Sequence, residues 1–200
     1  MPAIMHSYAD RGDDFYATPR EAVDALLRVE GEYLPRQIWE PACGDGAIVI
    51  PLREAGYEVR ATDLIGRGCP HSYAGLNFLK LGVCEDDWPG IVTNPPYKLV
   101  NEFVEVAMTK APYVAFLLRV QFLEGIDRRN LFKRYPPARV HISSRRLPMM
   151  HRGDWEGPRS TSTTCFAWFV WDRRWRGEPV IRWFDWKESG HGLVQRETVA

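Results

Sequence analysis

Little in this sequence points to a membrane, an oxidising compartment or a metal. No basic segment followed by an apolar stretch stands near the first residue, so no signal peptide is expected. No apolar run is long enough to cross a bilayer; Cys165 to Trp171 is among the longest, and Asp172 ends it. The expectation is a cytoplasmic protein without a membrane partner. Cysteines number four, at 43, 69, 84 and 165, and no two form a C-x-x-C pair. Cys69-Pro70-His71 offers one cysteine and one histidine, half of a zinc site, so reduced thiols and no metal are expected. Repeats, low-complexity tracts and a linker between domains are also missing. Net charge is zero, with 26 Lys+Arg against 26 Asp+Glu.

What is present is a chain of 200 residues, 45% hydrophobic, long enough for one domain with a real core. A single domain over residues 1–200 is expected, with a mobile arm over 1–12 and a mobile tail over 188–200. The zero net charge hides an asymmetry. Residues 1–100 carry 9 Lys+Arg and 15 Asp+Glu, whereas residues 101–200 carry 17 and 11. Nine basic residues lie between Arg128 and Arg159, against Asp154 and Glu156. Such a half is either a polyanion-binding face or a solvated surface.

Apolar spacing and breakers divide the chain into alternating elements. Thr18-Pro19-Arg20-Glu21 reads as a capping box with proline at the first helical position, and Val23, Leu26 and Leu27 follow helical spacing. Short strands are expected at Gln37 to Glu40, Tyr57 to Thr62, Gly90 to Thr93 and Tyr113 to Leu118. Helices are expected at Ala47 to Ala55, closed by Gly56, at Leu99 to Lys110, and within Phe122 to Tyr135. Ile65 to Tyr73 reads as loop, and Leu76 to Leu79 as a short strand or turn. Arg139 to Ile142 and Thr164 to Trp171 are strands with no helix between them, which argues for an antiparallel pair. A polar loop, Ser143 to Thr163, joins them, and Ile181 to Trp186 is an edge-strand candidate. Alternation through the first two thirds predicts an α/β fold with a mostly parallel sheet covered on both faces.

Two segments carry chemistry. In Trp39 to Gly46 a strand ends at Glu40, the chain turns on Gly44 and Gly46, and a helix begins. Asp63 follows Glu40 by 23 residues, at the next strand end, where a carboxylate can take ribose hydroxyls. Together they suggest a nucleoside cofactor; the plain alternative is a tight strand–helix connection. A third glycine in G-x-G-x-x-G register is missing, which counts against NAD, and no Gly-Lys-Ser/Thr follows, which counts against a P-loop.

The second segment, Asn94-Pro95-Pro96-Tyr97, follows a strand directly. Proline has fixed φ and no N–H, so the carbonyls here can face a cleft, and Asn94 adds a side-chain acceptor. Two acceptors can hold both hydrogens of an exocyclic NH2 and aim its lone pair at an electrophile. Tyr97 offers a flat face for a base. The alternative is an Asx-Pro turn with a buried tyrosine.

Glu40-Pro41-Ala42-Cys43-Gly44-Asp45-Gly46 followed by Asn94-Pro95-Pro96-Tyr97 resembles motifs I and IV of the amino methyltransferases, above all the DNA N6-adenine enzymes. Asp14-Phe15-Tyr16-Ala17-Thr18-Pro19 resembles the motif that precedes them in enzymes of this motif order, and the resemblance covers roughly residues 13–171. It implies the Rossmann-like class I methyltransferase fold, with a mostly parallel seven-stranded sheet and a reversed strand near one edge. It also implies S-adenosyl-L-methionine as cofactor. Tyr16, Thr18 and Pro19 would border the methionine end, and Glu40, Ala42 and Gly44 the middle. Asp63 would take the ribose, Leu64 would lie against the adenine, and Asn77-Phe78 would bind the adenine edge. Asn94, Pro95, Pro96 and Tyr97 would hold the target base. The family usually has Asp where Asn77 stands, and a separate target-recognition domain is missing, as in small enzymes of the phage or prophage type.

The expected substrate is therefore a nucleic acid, DNA favoured and RNA possible. Arg145, Arg146, Arg152, Trp155 and Arg159 are the candidates for contact with it. Trp168, Trp171, Trp183 and Trp186 read as packing residues. His141 and His151 have no carboxylate or cysteine partner in sequence, and no catalytic role is assigned to them. Two rivals remain: methylation of a protein glutamine, whose amide is a similar planar NH2, and a non-catalytic nucleic-acid-binding domain on a decayed methyltransferase fold.

Overall fold

The computed structural model describes residues 17–80, 88–149 and 164–188. The expected arm over residues 1–12 and almost all of the expected tail lie outside the described residues. One sheet organises them, built from strands β1 (Gln37–Glu40), β2 (Glu58–Thr62), β3 (Ser72–Tyr73), β4 (Gly90–Thr93), β5 (Tyr113–Arg119), β6 (Arg139–Ser143), β7 (Phe166–Asp172) and β8 (Val180–Phe184). Their order across the sheet is β3-β2-β1-β4-β5-β7-β6-β8. All neighbours run parallel except at β7, which is antiparallel to both β5 and β6. This is the expected mostly parallel sheet with one reversed strand. It has eight strands rather than seven, because the segment expected as loop contributes β3, paired with Ala61 and Thr62 of β2.

Side chains alternate along each strand, so neighbouring residues enter opposite cores. Ile38, Val92, Tyr113, Ala115, Leu117, Phe166, Trp168 and Val170 join one cluster, packed beneath helices α1 (Arg20–Glu30) and α2 (Val49–Glu54). Trp39, Ile91, Val114, Phe116, Leu118, Ala167, Phe169 and Trp171 join the other, beneath α3 (Val100–Lys110) and α4 (Arg129–Arg134). Burial on both faces is why β5 and β7 read as continuous apolar runs rather than as alternating ones.

Local chemistry sets the end of one helix, α2. Gly56 (φ +86) closes α2 as expected: its N–H donates to Arg53 O at 2.9 Å, and Tyr57 N–H to Leu52 O at 3.0 Å, the paired bonds of a Schellman cap. The expected capping box is not formed. Helix α1 begins at Arg20 with Pro19 as N-cap and no side-chain cap hydrogen bond. Pro19 keeps an extended ψ of 143°, which moves Thr18 one position too far from the free N–H groups, and its hydroxyl is used elsewhere. The expected strand or turn over Leu76 to Leu79 is a 3-10 turn at Phe78–Lys80, started by Asn77, whose Oδ1 accepts from Leu79 N–H at 3.0 Å.

Trp168 and Trp171 are packing residues as expected, each fully buried. Trp183 is not. It is 67% exposed, because β8 is an edge strand whose alternate side chains face solvent.

Candidate active site

Strands β1, β2 and β3 step outward in one direction from β1, and β4 and β5 in the other. The chain therefore reverses between β1 and β4, and beyond the carboxyl ends of these two strands the sheet has its crevice. Glu40 ends β1 and Asn94 follows β4, so the two motifs, 54 positions apart, meet there. A cavity of about 540 Å³ occupies the crevice. Its walls include Ala17 and Thr18 before α1, Glu40 to Cys43, Asp63 to Ile65, Leu76 to Leu79, and Asn94 to Pro96.

The turn after β1 is held by side chains of its neighbours. Ala42 N–H donates to Glu40 Oε1 at 3.0 Å, and Gly44 N–H to Asp63 Oδ2 at 2.8 Å. Gly44 (φ +53) and Gly46 (φ +94) adopt left-handed backbone there. A Cβ on Gly46 would stand 3.1 Å from Cys69 Sγ, so a side chain there would be crowded as well as strained in its backbone. Asp63 Oδ1 also accepts from Ile65 N–H at 2.9 Å. Its carboxylate thus fastens the turn after β1 to the loop after β2. Phe78 packs edge-on against Trp39 at 5.2 Å and lies 5.0 Å from Phe103, giving the cavity an apolar floor.

Glu40, Asp45 and Asp63 line the cavity against Arg67 and Lys98. Burial, with a smaller push from Asp63, drives the Glu40 carboxyl up to about 8, against the Thr93 hydroxyl and the Ala42 N–H that favour its ionised form. Burial likewise pushes the Cys43 thiol up, so the cavity holds no thiolate nucleophile at neutral pH.

On the β4 side, Asn94 Nδ2 donates to Thr18 Oγ1 at 3.0 Å. This bond is the use found for the threonine expected as a helix cap. It sets the amide with its nitrogen toward Thr18. Pro95 and Pro96 line the same cavity, but Tyr97 is not among its walls. The Tyr97 ring instead lies 6.2 Å from the Phe166 ring, with the Arg119 guanidinium 4.7 Å from its centroid.

The structure thus brings together Thr18, Glu40, Ala42, Asp63, Leu64, Asn77, Phe78, Asn94, Pro95 and Pro96 around one cavity. Gly44 sits behind the wall, tied to Asp63, and Pro19 caps α1. Tyr16, Arg152, Trp155 and Arg159 lie outside the described residues. Arg145 and Arg146 follow β6 at the same sheet edge as Asn94, since β7 is antiparallel to both β5 and β6, so that β6 runs the same way as β5 and β4. Arg145 is paired with Asp185 through contacts of 2.8 to 3.1 Å, and Trp186 Nε1 donates to Arg146 O at 3.1 Å. Sequence reasoning missed Arg119, Lys98 and Phe103. The signal for Arg119 was present: a cation that breaks an apolar run at the carboxyl end of a buried strand.

No family model matches the chain, and no curated protein matches it. Solved structures do. A protein from Listeria monocytogenes assigned to the class I S-adenosylmethionine-dependent methyltransferases matches at TM-score 0.59 and 12% identity, over 86% of this chain and 67% of that one. A modification subunit assigned to a type I restriction enzyme of Vibrio vulnificus matches at 0.56 and 16%, over 89% of this chain and 48% of that one. A protein of Pyrococcus horikoshii assigned as an RNA methyltransferase matches at 0.58 and 10%, over 78% and 85%. The chain therefore has the Rossmann-like methyltransferase fold, and it spans about half the length of the restriction-modification subunit. Among the described residues, no group of three or more His, Cys, Asp or Glu side chains could hold a metal ion, and no helix is long and apolar enough to cross a membrane.

Proposed function

We propose that the chain is an S-adenosyl-L-methionine-dependent methyltransferase acting on the exocyclic amino group of a nucleic-acid base, DNA adenine N6 first. The carrying observation is the convergence of Asn94, Pro95 and Pro96 on the cavity that Glu40 and Asp63 line. The cavity fits the cofactor on its own chemistry. Asp45 and Asp63 suit a ligand with ammonium and sulfonium charges, and Glu40 joins them once a cation beside it favours its ionised form. Asp63 stands where ribose hydroxyls can be met, and Leu64, Ile65 and Phe78 give apolar surface for a purine.

The cofactor supplies an electrophilic methyl group, so the protein needs neither a metal nor a covalent nucleophile. Its residues orient and desolvate. Asn94 Oδ1 and the Pro95 carbonyl accept the two hydrogens of the amine, which directs the nitrogen lone pair into the cavity. Thr18 holds the amide in the orientation this needs. In a duplex the base must leave the stack to reach Asn94. Incubation with labelled cofactor and pools of DNA, RNA and protein, followed by nucleoside and amino-acid analysis, tests the reading. Label in N6-methyldeoxyadenosine supports it; label in RNA bases or glutamine reassigns the substrate; no cofactor binding at equilibrium leaves the decayed-fold rival.

Asp63→Ala is expected to weaken cofactor binding by about 1–3 kcal/mol, through lost ribose hydrogen bonds. Because Asp63 also fastens Gly44 and Ile65, Asp63→Asn should lose less, since one backbone bond can survive. Calorimetric affinities equal to those of the parent would remove Asp63 from the site.

Glu40 gives a pH signature. Its folded pKa lies above that of the unfolded chain, so its contribution to stability is complete below the ordinary carboxylate range and is lost as pH rises toward and through about 8. Glu40→Gln should flatten the decline of melting temperature with pH over that window. Binding of a cation beside Glu40 favours its ionised form, so cofactor binding at pH 7 should release a proton. Equal apparent binding enthalpies in phosphate and Tris buffers would detach Glu40 from the cofactor's charge.

The basic loop should contact the nucleic-acid backbone. Reversing charge at Arg146 and Arg152 is expected to weaken binding of all sequences alike. It should also flatten the salt dependence by about one log–log unit for each phosphate no longer neutralised. Arg145, already neutralised by Asp185, should matter less. Unchanged slopes in a filter-binding series would make the loop a solvated surface.

A further inference from the structure

Tyr97 is the part of the Asn94-Pro95-Pro96-Tyr97 segment suited to stack a base, and its ring stands apart from the cavity walls. Phe166 and Arg119 both lie against it. Phe166 is buried in β7, locked in the seven-residue pairing of β5 with β7, and cannot leave without opening the sheet. Arg119, the residue paired with Phe166, is the exposed last residue of β5, and its guanidinium lies 4.7 Å from the Tyr97 centroid. Among the described residues no carboxylate forms an ion pair with Arg119; its contact is the ring. An exposed cation–π contact of this kind is weaker than a base stacked on an aromatic ring, so exchange of one for the other is favourable.

We propose that Arg119 is a displaceable cap on the base platform: the target base enters by replacing the guanidinium over Tyr97, and the released guanidinium moves to a phosphate of the same strand. The inference rests on the reading of Asn94 to Tyr97 as the base site. The residue is a positioning residue, acting through Tyr97 and through the backbone of the substrate. Its chemistry makes two demands of opposite sign. A base without phosphate gains when the cap is removed, because the guanidinium no longer has to be displaced. A strand with phosphates loses, because the displaced cation no longer meets them.

The test titrates the full chain, with its cofactor cavity filled by saturating S-adenosylhomocysteine, with 2-aminopurine deoxyriboside and with a single-stranded DNA oligonucleotide containing one 2-aminopurine. Quenching of the fluorophore reports stacking. Arg119→Ala should bind the nucleoside about two- to fivefold more tightly than the parent. It should bind the oligonucleotide more weakly and with a shallower salt dependence. Arg119→Lys should keep most oligonucleotide affinity, because it keeps the charge. In a Tyr97→Leu background, Arg119→Ala should leave the residual nucleoside affinity unchanged. A merely structural role would weaken both ligands together. Nucleoside binding that depends on Tyr97 but is unaltered or weakened in Arg119→Ala overturns the cap and leaves the base site standing. Quenching that does not depend on Tyr97 in any variant overturns both.

Discussion

On the proposed reading, in which the amide serves the acceptor amine and not the methyl donor, Asn94→Ala is expected to reduce methyl transfer at least about a hundredfold while cofactor affinity stays within a few-fold. In the folded chain its Nδ2 donates to Thr18 Oγ1 at 3.0 Å, so the oxygen has a set direction before substrate arrives. Alanine removes the acceptor and also the link between the start of α1 and the end of β4. Single-turnover kinetics with labelled cofactor, beside calorimetry of the same protein, separates the two quantities. A variant that methylates at near-parent rate would end the case for this segment as the amine-holding site. So would one whose loss of rate is matched by an equal loss of cofactor affinity, since that pattern describes a damaged cavity.

Glu30→Ala is expected to destabilise the fold by about 3–5 kcal/mol, the largest stability effect among these variants. Glu30 ends α1 and is fully buried. Its Oε1 accepts from Arg139 Nε at 2.6 Å and lies 2.6 Å from His141 Nε2. Its Oε2 accepts from Arg139 Nη2 and from the Tyr113 hydroxyl, both at 2.9 Å. Asp172 adds a second carboxylate, 3.2 Å from Arg139 Nη2. One carboxylate thus ties α1 to β5 and β6, and its removal leaves a buried guanidinium with half its charge partners. Removing Arg139 as well, as in Glu30→Ala with Arg139→Met, should cost less than the sum of the single losses, because no uncompensated charge then remains. Urea unfolding of the three variants measures this, and strict additivity would mean that the groups do not act as a unit.

The same cluster predicts an acid transition. Burial alone would raise the Glu30 carboxyl, but the hydrogen bonds from His141 and Arg139, with the Arg139 charge, outweigh it and hold the group below the usual carboxylate range. Stability from this depressed pKa is present above the unfolded carboxylate range and is lost as pH falls through the folded value. The parent should therefore lose stability in acid more steeply than the Glu30→Ala variant.

Much of the site was legible because the informative residues are contiguous. Glu40 to Gly46 and Asn94 to Tyr97 each follow a short apolar strand, and each turn is encoded by its own glycines or prolines. In a parallel sheet the carboxyl ends of strands share one edge, so two such turns fall side by side whatever the helices between them do. Asp63 was legible for the same reason. The reversed strand was legible too, since the sequence offers no helix-length segment between Arg139 to Ile142 and Thr164 to Trp171 to carry a parallel crossover.

The sequence by itself determined the α/β alternation, the turns at the strand ends and the chemistry those turns can offer. Tertiary structure alone decided which distant side chains would meet. Thr18 suited a helix cap equally well, and only the approach of β4 gave its hydroxyl to Asn94, 76 positions away. His141 had no acid near it in sequence, yet Glu30, 111 positions earlier, stands against its ring because α1 ends over β6. Arg119 meets Tyr97 because the β5–β7 register sets Arg119 opposite Phe166. Local patterns arise from backbone geometry and hydrogen bonding within a few residues, and one sequence window contains their causes. Contacts such as these arise from register and helix docking, which the burial of the whole core selects at once.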